Sequence, residues 1–343
     1  MTTGPAPVGV VLVNWNRWRD TIEVLESLLR STVPLRVIVV DNASADGSLD
    51  QIEAWARGDL PAEPASKAMA RFSFPASPKP VQVRRLGPGD LATAVSTPTD
   101  GVTLVDSGGN LGFAGGNNVG LKLLLTDPAI ECFWLLNNDT VVEADSAAQL
   151  AATMAMTPRI GMCGTIVRFY WAPDMVQALN GNRFNIWTGA GKAIHGRLPA
   201  STPFDAAAVA AATDFVLGAS IAVSRDFLES VGLMEDGYFL YFEEIDWAVR
   251  NRRRGTGRFA TAFAAGATVY HKEGGSIGSS GVKGQRSVMS DYWLNRSRLA
   301  FIRRHYPLLL PWHWLFTLAI IVRRLLRRQP EKARVILRAL TGG

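Results

Sequence analysis

The feature that most constrains the fold is an alternation of short β-branched runs with helical patterns over the first 160 residues. Strands are predicted at four apolar runs: 8–13, 36–41, 102–105 and 132–136. Apolar residues recur at helical spacing over 21–29 and again up to residue 125. This alternation predicts an α/β fold with a mixed, mostly parallel central sheet flanked by helices. Ligands in such sheets bind at the carboxyl ends of strands, where this chain places its polar clusters.

Composition excludes several classes of protein. Apolar residues make up 48% of the chain and charged residues 19%, so a sizeable core can form and global disorder is excluded. The two cysteines form neither a disulfide framework nor a Cys-x-x-Cys pair, which favours a reducing compartment. The apolar run at 8–13 is too short for a signal peptide and follows no charged segment. We therefore expect a cytoplasmic protein.

The alternation lapses between residues 58 and 101, where seven prolines punctuate the chain. We interpret this segment as an insertion, partly extended or mobile, in which residues 81–83 add an edge strand. Residues 161–290 have a mixed α+β pattern, and the pattern becomes helical from Ser287 onward. The sequence thus predicts a body over 1–290, divided into 1–160 and 161–290, and a helical tail over 291–343.

Polar residues follow the first two predicted strands. Asn14 and Asn16 come after the first, and Asp41 and Asn42 come after the second. A carboxylate at such a position can accept hydrogen bonds from a nucleobase imide or a ribose hydroxyl. Asp and Asn also close turns and cap helices, so a purely structural role stays open.

A glycine-rich segment, residues 107–118, connects the third strand to a helix. Here Asn110, Gly112, Gly115 and Asn117 would let the backbone approach a ligand, and the helix N-terminus would offer amides to a diphosphate. The glycines do not follow the first strand and contain no G-x-G, which argues against a dinucleotide-binding fingerprint. A tight structural loop is the alternative.

A metal site is predicted at the end of the fourth strand. Asp139, which follows Asn137 and Asn138, could hold Mg²⁺ or Mn²⁺ together with phosphates of a donor. His271, at the end of a later apolar run, could complete the shell. Each has a simpler interpretation: Asp139 as a helix cap and His271 as a surface residue.

Three acids, Glu243, Glu244 and Asp246, lie within four residues directly after an aromatic run. An apolar wall and a neighbouring like charge both raise the pKa of a carboxyl group, which makes it a better general base. The alternative is an ordinary helix start, where acidic side chains favour the N-terminal end of the helix dipole. The aromatic character of the segment favours a catalytic role.

The tail concentrates the positive charge. From residue 296 onward, eleven Lys and Arg face one acid, a net +10 within a chain of net +6, so the body carries −4. The uninterrupted apolar core at 314–322 is too short to span a bilayer. Trp and Leu beside arginines predict an interfacial helix on an anionic membrane surface, and no nucleic-acid partner. A helix docked on the body or a homodimer contact is the alternative.

In their joint order these motifs resemble the family 2 glycosyltransferases, in particular the rhamnosyltransferase-like branch with a GT-A fold. The resemblance extends from about residue 8 to 306. It rests on residues 11–16, 39–48, 109–118, 135–140, 217–220 and 237–246, and on His271 with Ser276.

The resemblance implies roles for individual residues. Asp41 would contact the base or ribose, the loop from Asn110 would line the donor, and Asp139 would be the metal-binding end of a DxD-like motif. This chain has Asn137 where a stricter motif has an acid. Glu244 would be the general base, although the family's usual Glu-Asp pair is here Glu243-Glu244.

The resemblance also implies a reaction. A sugar would move with inversion from a deoxythymidine-diphosphate rhamnose or uridine-diphosphate hexose donor to a glycan or polyprenyl-diphosphate-linked acceptor. Residues 1–160 would bind the donor, 161–290 the acceptor, and the tail the inner face of the plasma membrane. A non-catalytic sugar-nucleotide or glycan-binding module is the main alternative, and a nucleotidyltransferase is a weaker one.

Overall fold

The structure, a computed structural model, describes residues 6–96, 101–156, 159–253, 259–273 and 287–341. Its strands are β1 (Val8–Asn14), β2 (Leu35–Asp41), β3 (Val83–Leu86), β4 (Val102–Asp106), β5 (Cys132–Asn137), β6 (Thr140–Val142), β7 (Ile160–Phe169), β8 (Ala172–Leu179), β9 (Gly181–Asn185), β10 (Ala190–Ala193), β11 (Phe215–Val216), β12 (Ser220–Ser224) and β13 (Ala260–His271). Its helices are α1 (Trp18–Leu28), α2 (Ser48–Arg57), α3 (Gly112–Leu124), α4 (Ser146–Met156), α5 (Ala206–Ala212), α6 (Arg225–Val231), α7 (Glu243–Arg252), α8 (Val288–His305), α9 (Leu310–Leu326) and α10 (Pro330–Thr341).

Most of these strands form one large, mostly parallel sheet. Its order among the described residues is β3-β4-β2-β1-β5-β12-β7-β13-β6, with β8 paired to β7. Strand β12 runs antiparallel to both of its neighbours, and β6 and β8 are also antiparallel. Strands β9, β10 and β11 form a small antiparallel sheet. The predicted α/β class, with a mixed and mostly parallel sheet flanked by helices, is confirmed.

The sheet is buried on both faces because its central strands are apolar throughout. In β1, Val8, Val10 and Leu12 pack on one side with α1 and α2, while Val11 packs on the other side with α3. A strand covered on both faces needs a continuous apolar run. This requirement explains why the central strands were recognisable from sequence.

The insertion, predicted to be partly extended or mobile, makes contacts with the body through α1. The buried Glu26 on α1 accepts hydrogen bonds from the Ser77 amide at 2.8 Å and from Lys79 Nζ at 3.0 Å. The predicted edge strand exists but is shifted to β3, which pairs parallel with β4. Residues 97–100 lie outside the described residues. Acids on a neighbouring helix hold the insertion in place, which local sequence patterns do not reveal.

Two expectations about the C-terminal region need correction. Helix α8 packs on the body as well as on the tail helices α9 and α10, because Phe301 and Ile302 are buried in a cluster with Phe215 and Phe242. The apolar segment of the tail is also longer than the sequence pattern suggested. A continuous helical stretch from Pro307 to Leu326 is long and apolar enough, by length and composition alone, to cross a membrane. Proline at the first turn of a helix does not interrupt it.

Candidate active site

A cavity of about 520 Å³ opens at the carboxyl ends of the central strands. Its lining comes from the ends of β1, β2, β5 and β13, from the start of α3, and from the start of α7 and α8. It is lined by Val13, Trp15, Asn42, Asn110, Gly112, Phe113, Asn137, Asn138, Asp139, Gln177, Leu217, Gly218, Ala219, Phe239, Leu240, Tyr241, Glu243, Glu244, His271, Glu273, Met289 and Trp293. The predicted metal ligands and the predicted base therefore face one space.

Asp139 and His271 form a close pair on this cavity. The Asp139 Oδ1 atom lies 3.1 Å from His271 Nε2, and both side chains are buried. The Lys272 amide donates to the Asp139 carbonyl at 2.9 Å, which joins the end of β13 to the loop after β5. The Gln177 Oε1 atom accepts a hydrogen bond from His271 Nδ1 at 2.9 Å. This bond turns Nε2 toward Asp139.

The pair fits a divalent cation. Two neighbouring ligands of an octahedral Mg²⁺ site, each about 2.1 Å from the ion, lie about 3 Å apart. A carboxylate or amide oxygen on the far ring nitrogen of a metal-binding histidine is the usual orienting contact, and Gln177 provides it here. Within the described ranges no group of three or more His, Cys, Asp or Glu forms a closed metal site. Further ligands would come from the donor and from water.

The electrostatics of the pair also favour a positive charge. Burial acts to lower the pKa of His271, but the adjacent Asp139 carboxylate outweighs it and the pKa is raised. The site thus stabilises an added proton despite its burial. A divalent cation between the same two side chains would be stabilised by the same negative potential.

Glu243 and Glu244 open α7 and line the same cavity. Glu243 is 1% exposed, and its Oε1 atom has no hydrogen-bond partner among the described residues. Burial raises the pKa of Glu243 well above 4.5, and the neighbouring Glu244 charge raises it further. Burial also raises the pKa of the half-buried Glu244. A carboxylate with a raised pKa is a stronger base, so this pair can accept a proton from a substrate hydroxyl.

A strained aromatic turn positions these acids. Phe239, Tyr241 and Phe242 have φ values of 67°, 67° and 77°, in the left-handed region that bulky side chains avoid. The Phe239 carbonyl accepts a hydrogen bond from the Phe113 amide at 2.8 Å. Gly112, with φ of 70°, permits this contact, because a Cβ there would lie 2.3 Å from the Phe239 oxygen. Such strain costs on the order of 1–3 kcal/mol per residue and is concentrated at functional sites.

Four of the predicted donor-binding residues line the cavity: Asn42, Asn110, Gly112 and Asn138. The predicted amide cradle at the start of α3 differs from the observed arrangement. The Gly112 amide donates to Asn110 Oδ1 at 3.0 Å, and the Phe113 amide is bound to Phe239. These first two amides are therefore already hydrogen-bonded, and the Phe113 amide braces the aromatic turn.

Asn14 and Asp41 lie beneath the cavity rather than on its surface. Asn14 Nδ2 donates to Asp41 Oδ1 at 2.7 Å, and the Ser44 hydroxyl and amide donate to the same carboxylate at 2.6 and 2.9 Å. Asn138 Nδ2 reaches Asn14 Oδ1 at 3.3 Å and Thr21 Oγ1 at 3.0 Å. This buried network ties the ends of three strands together and supports the cavity floor.

Three other predicted donor-binding residues also lie off the cavity lining. Asn16 is exposed and accepts from the Ala45 amide at 2.7 Å. Asn117 donates to the Phe113 carbonyl at 2.9 Å, and Gly115 packs beside Leu111. These contacts stabilise the loop and the first turns of α3. Ser276 lies outside the described residues.

Asp246 is brought to the core and not to the cavity. Its carboxylate accepts from Arg250 Nε at 3.1 Å and lies 3.0 Å from His305 Nε2 on α8. Side-chain direction rotates by about 100° per residue along a helix. Asp246, two residues after Glu244, therefore points to a different neighbouring element. The catalytic role predicted for Asp246 is thus replaced by a packing role between α7 and α8.

Several lining residues were not predicted. Trp15 lies between two predicted asparagines, and Gly218 lies within the motif at 217–220, so motif context could have indicated both. Gln177 on β8 and Trp293 on α8 carry no local signal, because their relevance depends on the packing of distant elements. The Trp293 ring stacks on Phe239 at 4.4 Å between centroids, which extends the aromatic wall.

Replacing Gly218 by Ala should lower the rate of any reaction that uses Glu244 as base. A Cβ at 218 would lie 2.9 Å from Glu244 Oε1, which forces the carboxylate to move. A misplacement of about 1 Å can cost about 10²-fold in rate. Steady-state kinetics should show a reduced kcat at nearly unchanged melting temperature. Gly89→Ala is the matched control, since nothing lies within 4 Å of its Cβ position, and equal effects of the two variants would contradict this prediction.

Replacing Glu243 by Gln should stabilise the fold increasingly as pH rises. The folded-state pKa lies above the unfolded value of 4.5, so the folded state keeps a proton that the unfolded state releases. The contribution of Glu243 to the free energy of unfolding is therefore fully present below its unfolded pKa and is lost as pH rises through its folded-state pKa. Thermal melts at about pH 5 and about pH 8 should show a melting-temperature gain that is larger at the higher pH. A gain independent of pH would contradict the assignment.

No family model matches the chain. Over 155 residues, 45% of this chain and 47% of the relative, it is 26% identical to the low-salt glycan biosynthesis hexosyltransferase Agl10 of Haloferax volcanii. The chain thus matches about half the length of that curated relative.

Two solved structures are distantly similar. The mannosyltransferase PcManGT from Pyrobaculum calidifontis, in complex with GDP-Man and Mn²⁺, is 16% identical with a TM-score of 0.48, covering 100% of this chain and 77% of that one. S. aureus TarS 1–349 is 11% identical with a TM-score of 0.47, covering 88% of this chain and 66% of that one. Likenesses this distant do not bear on function.

Proposed function

We propose that this protein is a metal-dependent, inverting glycosyltransferase of the GT-A type. It would move rhamnose or another hexose from a nucleoside-diphosphate donor to a hydroxyl of a lipid-linked or polysaccharide acceptor in cell-envelope glycan synthesis. The observation that carries the proposal is that the Asp139–His271 pair and Glu244 line one cavity of about 520 Å³. The sequence match to a hexosyltransferase over 155 residues agrees with it.

The donor would lie on the side of the cavity formed by Asn42, Asn110 and Asn138. Asn42 and Asn138 are buried and donate to the Gly112 carbonyl and to Thr21, so they shape this side of the cavity. The exposed Asn110 can bind ribose or base atoms, and Trp15 offers an aromatic face. Asp139 and His271 would hold Mg²⁺ or Mn²⁺ next to the donor diphosphate. When bound, such a cation neutralises charge on the leaving diphosphate.

The acceptor would enter along the aromatic wall of Phe239, Tyr241 and Trp293, which adjoins the start of α3. Glu244 would accept the proton of the acceptor hydroxyl as its oxygen attacks the anomeric carbon of the donor sugar. The bond from that carbon to the diphosphate oxygen breaks, and the nucleoside diphosphate leaves with the electron pair. Glu243, whose pKa is raised by its burial and by the neighbouring Glu244, would lie beside the base and support its position.

The test is a screen of nucleoside-diphosphate sugars by thermal shift, with and without Mn²⁺, followed by assay of nucleoside-diphosphate release in the presence of a membrane lipid extract. We expect one class of donor to stabilise the protein only with metal and to turn over with the extract. Binding of a donor without any release would instead favour a non-catalytic sugar-nucleotide-binding module.

A further inference from the structure

The exposed face of α9 is unusually apolar. Large apolar side chains recur there at spacings of three and four residues, which places them on one side of the helix. They are Leu308 at 94% exposure just before the helix, and Trp312, Leu315, Leu318, Val322, Leu325 and Leu326 within it, each at least 45% exposed. A continuous apolar surface of this kind marks an interaction site.

The opposite side of α9 is held to the body by polar contacts. His313 and Thr317 are fully buried, and Thr317 Oγ1 accepts from the buried Arg298 at 2.7 Å. Arg324 forms an ion pair with the buried Asp291 on α8 at 2.7 Å. Insertion of α9 across a bilayer would break these contacts and leave Arg298 and Asp291 buried without them. The helix is therefore built to lie on a surface, not to span it.

A second element extends the same surface. The turn between β9 and β10 docks on α9, where Trp312 Nε1 donates to the Trp187 carbonyl at 2.8 Å. His313 Nε2 contacts the Ile186 carbonyl at 2.9 Å. The rings of Trp187 and Trp312 meet edge to face at 6.5 Å, yet remain 56% and 47% exposed. Exposed tryptophans are typical of the interface between water and lipid.

Positive charge flanks this surface. Arg323, Arg327 and Arg328 are exposed at the C-terminal end of α9. The chain from residue 296 onward carries a net +10, whereas the rest carries −4. An apolar strip with tryptophans at one end and arginines at the other complements an anionic lipid surface rather than another soluble protein.

We propose that α9 and the β9–β10 turn together form one docking face, defined by Trp187, Trp312, Leu315, Leu318 and Val322, that binds an anionic bilayer in its plane. The face is not confined to the C-terminal tail, since Trp187 comes from the body. This proposal deepens the proposed function and rests on it for the reason to bind a membrane, which is a lipid-linked acceptor. The geometry of the docking face does not depend on that function.

Flotation of the full chain with vesicles tests the docking face. Vesicles of phosphatidylcholine alone are compared with vesicles containing phosphatidylglycerol, at low and high salt. We expect binding mainly to the anionic vesicles, weakened by salt. The variant Leu315→Ser/Leu318→Ser/Val322→Ser should reduce binding at least tenfold, and Trp187→Ser alone should reduce it severalfold. The control Met156→Ser removes an 81% exposed apolar side chain on α4 and should bind normally.

Circular dichroism melts confirm that each variant is folded, and donor binding by thermal shift reports on the active site separately. Unchanged flotation of the folded triple variant would overturn the proposal, as would equal binding to neutral and anionic vesicles. If the wild type binds no vesicles but forms a concentration-dependent dimer in light scattering, and the triple variant loses that dimer, the face binds a second copy of this chain. That result would overturn the proposal. If the wild type floats with anionic vesicles but binds no nucleoside-diphosphate sugar, the proposed function is contradicted and the docking face is not.

Discussion

Replacing Glu244 by Gln should reduce the rate of sugar transfer by about 10²- to 10⁴-fold, the usual contribution of a general base. The amide keeps the size of the carboxylate beside Gly218 but cannot accept the proton of the acceptor hydroxyl. Donor binding should persist, because Glu244 is not one of the residues proposed to hold the donor or the metal. Initial-rate kinetics and a donor thermal shift on the same preparation measure the two quantities separately.

The neighbouring acids provide the controls. Glu243→Gln should keep more activity than Glu244→Gln, because Glu244 is the proposed base and Gln keeps the size of the buried Glu243 side chain. Glu131→Gln, at a side chain 67% exposed and away from the cavity, should leave transfer unchanged. Transfer at the wild-type rate in the Glu244→Gln variant would refute the assignment of the base.

Replacing Asp139 by Asn should abolish most of the metal dependence of donor binding and lower kcat/KM by roughly 10²- to 10³-fold, equivalent to several kcal/mol of transition-state stabilisation. Asn preserves the shape but removes the negative charge that faces His271 Nε2 at 3.1 Å. Calorimetric titration with Mn²⁺, in the presence of the donor nucleotide, measures the loss directly.

Gln177→Ala should give a smaller defect of the same kind, roughly 10- to 100-fold in metal affinity, because Gln177 only orients His271. Asp246→Asn provides the contrast. It should lower the melting temperature, since Asp246 is fully buried between Arg250 and His305, and should leave Mn²⁺ affinity intact. Wild-type Mn²⁺ affinity in the Asp139→Asn variant would exclude this residue as a ligand.

Local patterns sufficed for the core strands. The predicted runs at 8–13 and 36–41 correspond to β1 and β2 within one residue at each end. These strands are covered on both faces, so nearly every position must be apolar, and the pattern is visible without any knowledge of neighbours. The helical pattern from Ser287 onward corresponds to α8, and in the structure the Ser287 hydroxyl caps this helix by accepting from the Ser290 amide at 3.0 Å.

The roles of individual acids depended on packing. Glu244 and Asp246 have the same local context, yet the rotation of α7 turns one to the cavity and the other to His305. Likewise Asp41 has the position expected of a ligand-binding carboxylate but is fully engaged by Asn14 and Ser44. Chemical type alone could not distinguish these cases.

The amino-acid sequence by itself determined the α/β class, the strands of the core and the edge of the sheet at which polar groups collect. Each of these depends on short-range periodicity and on the uniform burial of central strands. Only the tertiary structure decided which polar groups meet, because Asp139 precedes β6, His271 ends β13 and Gln177 lies on β8, and sheet pairing rather than neighbouring residues sets their register. The same holds for Trp187 and Trp312, which adjoin only because the β9–β10 turn docks on α9.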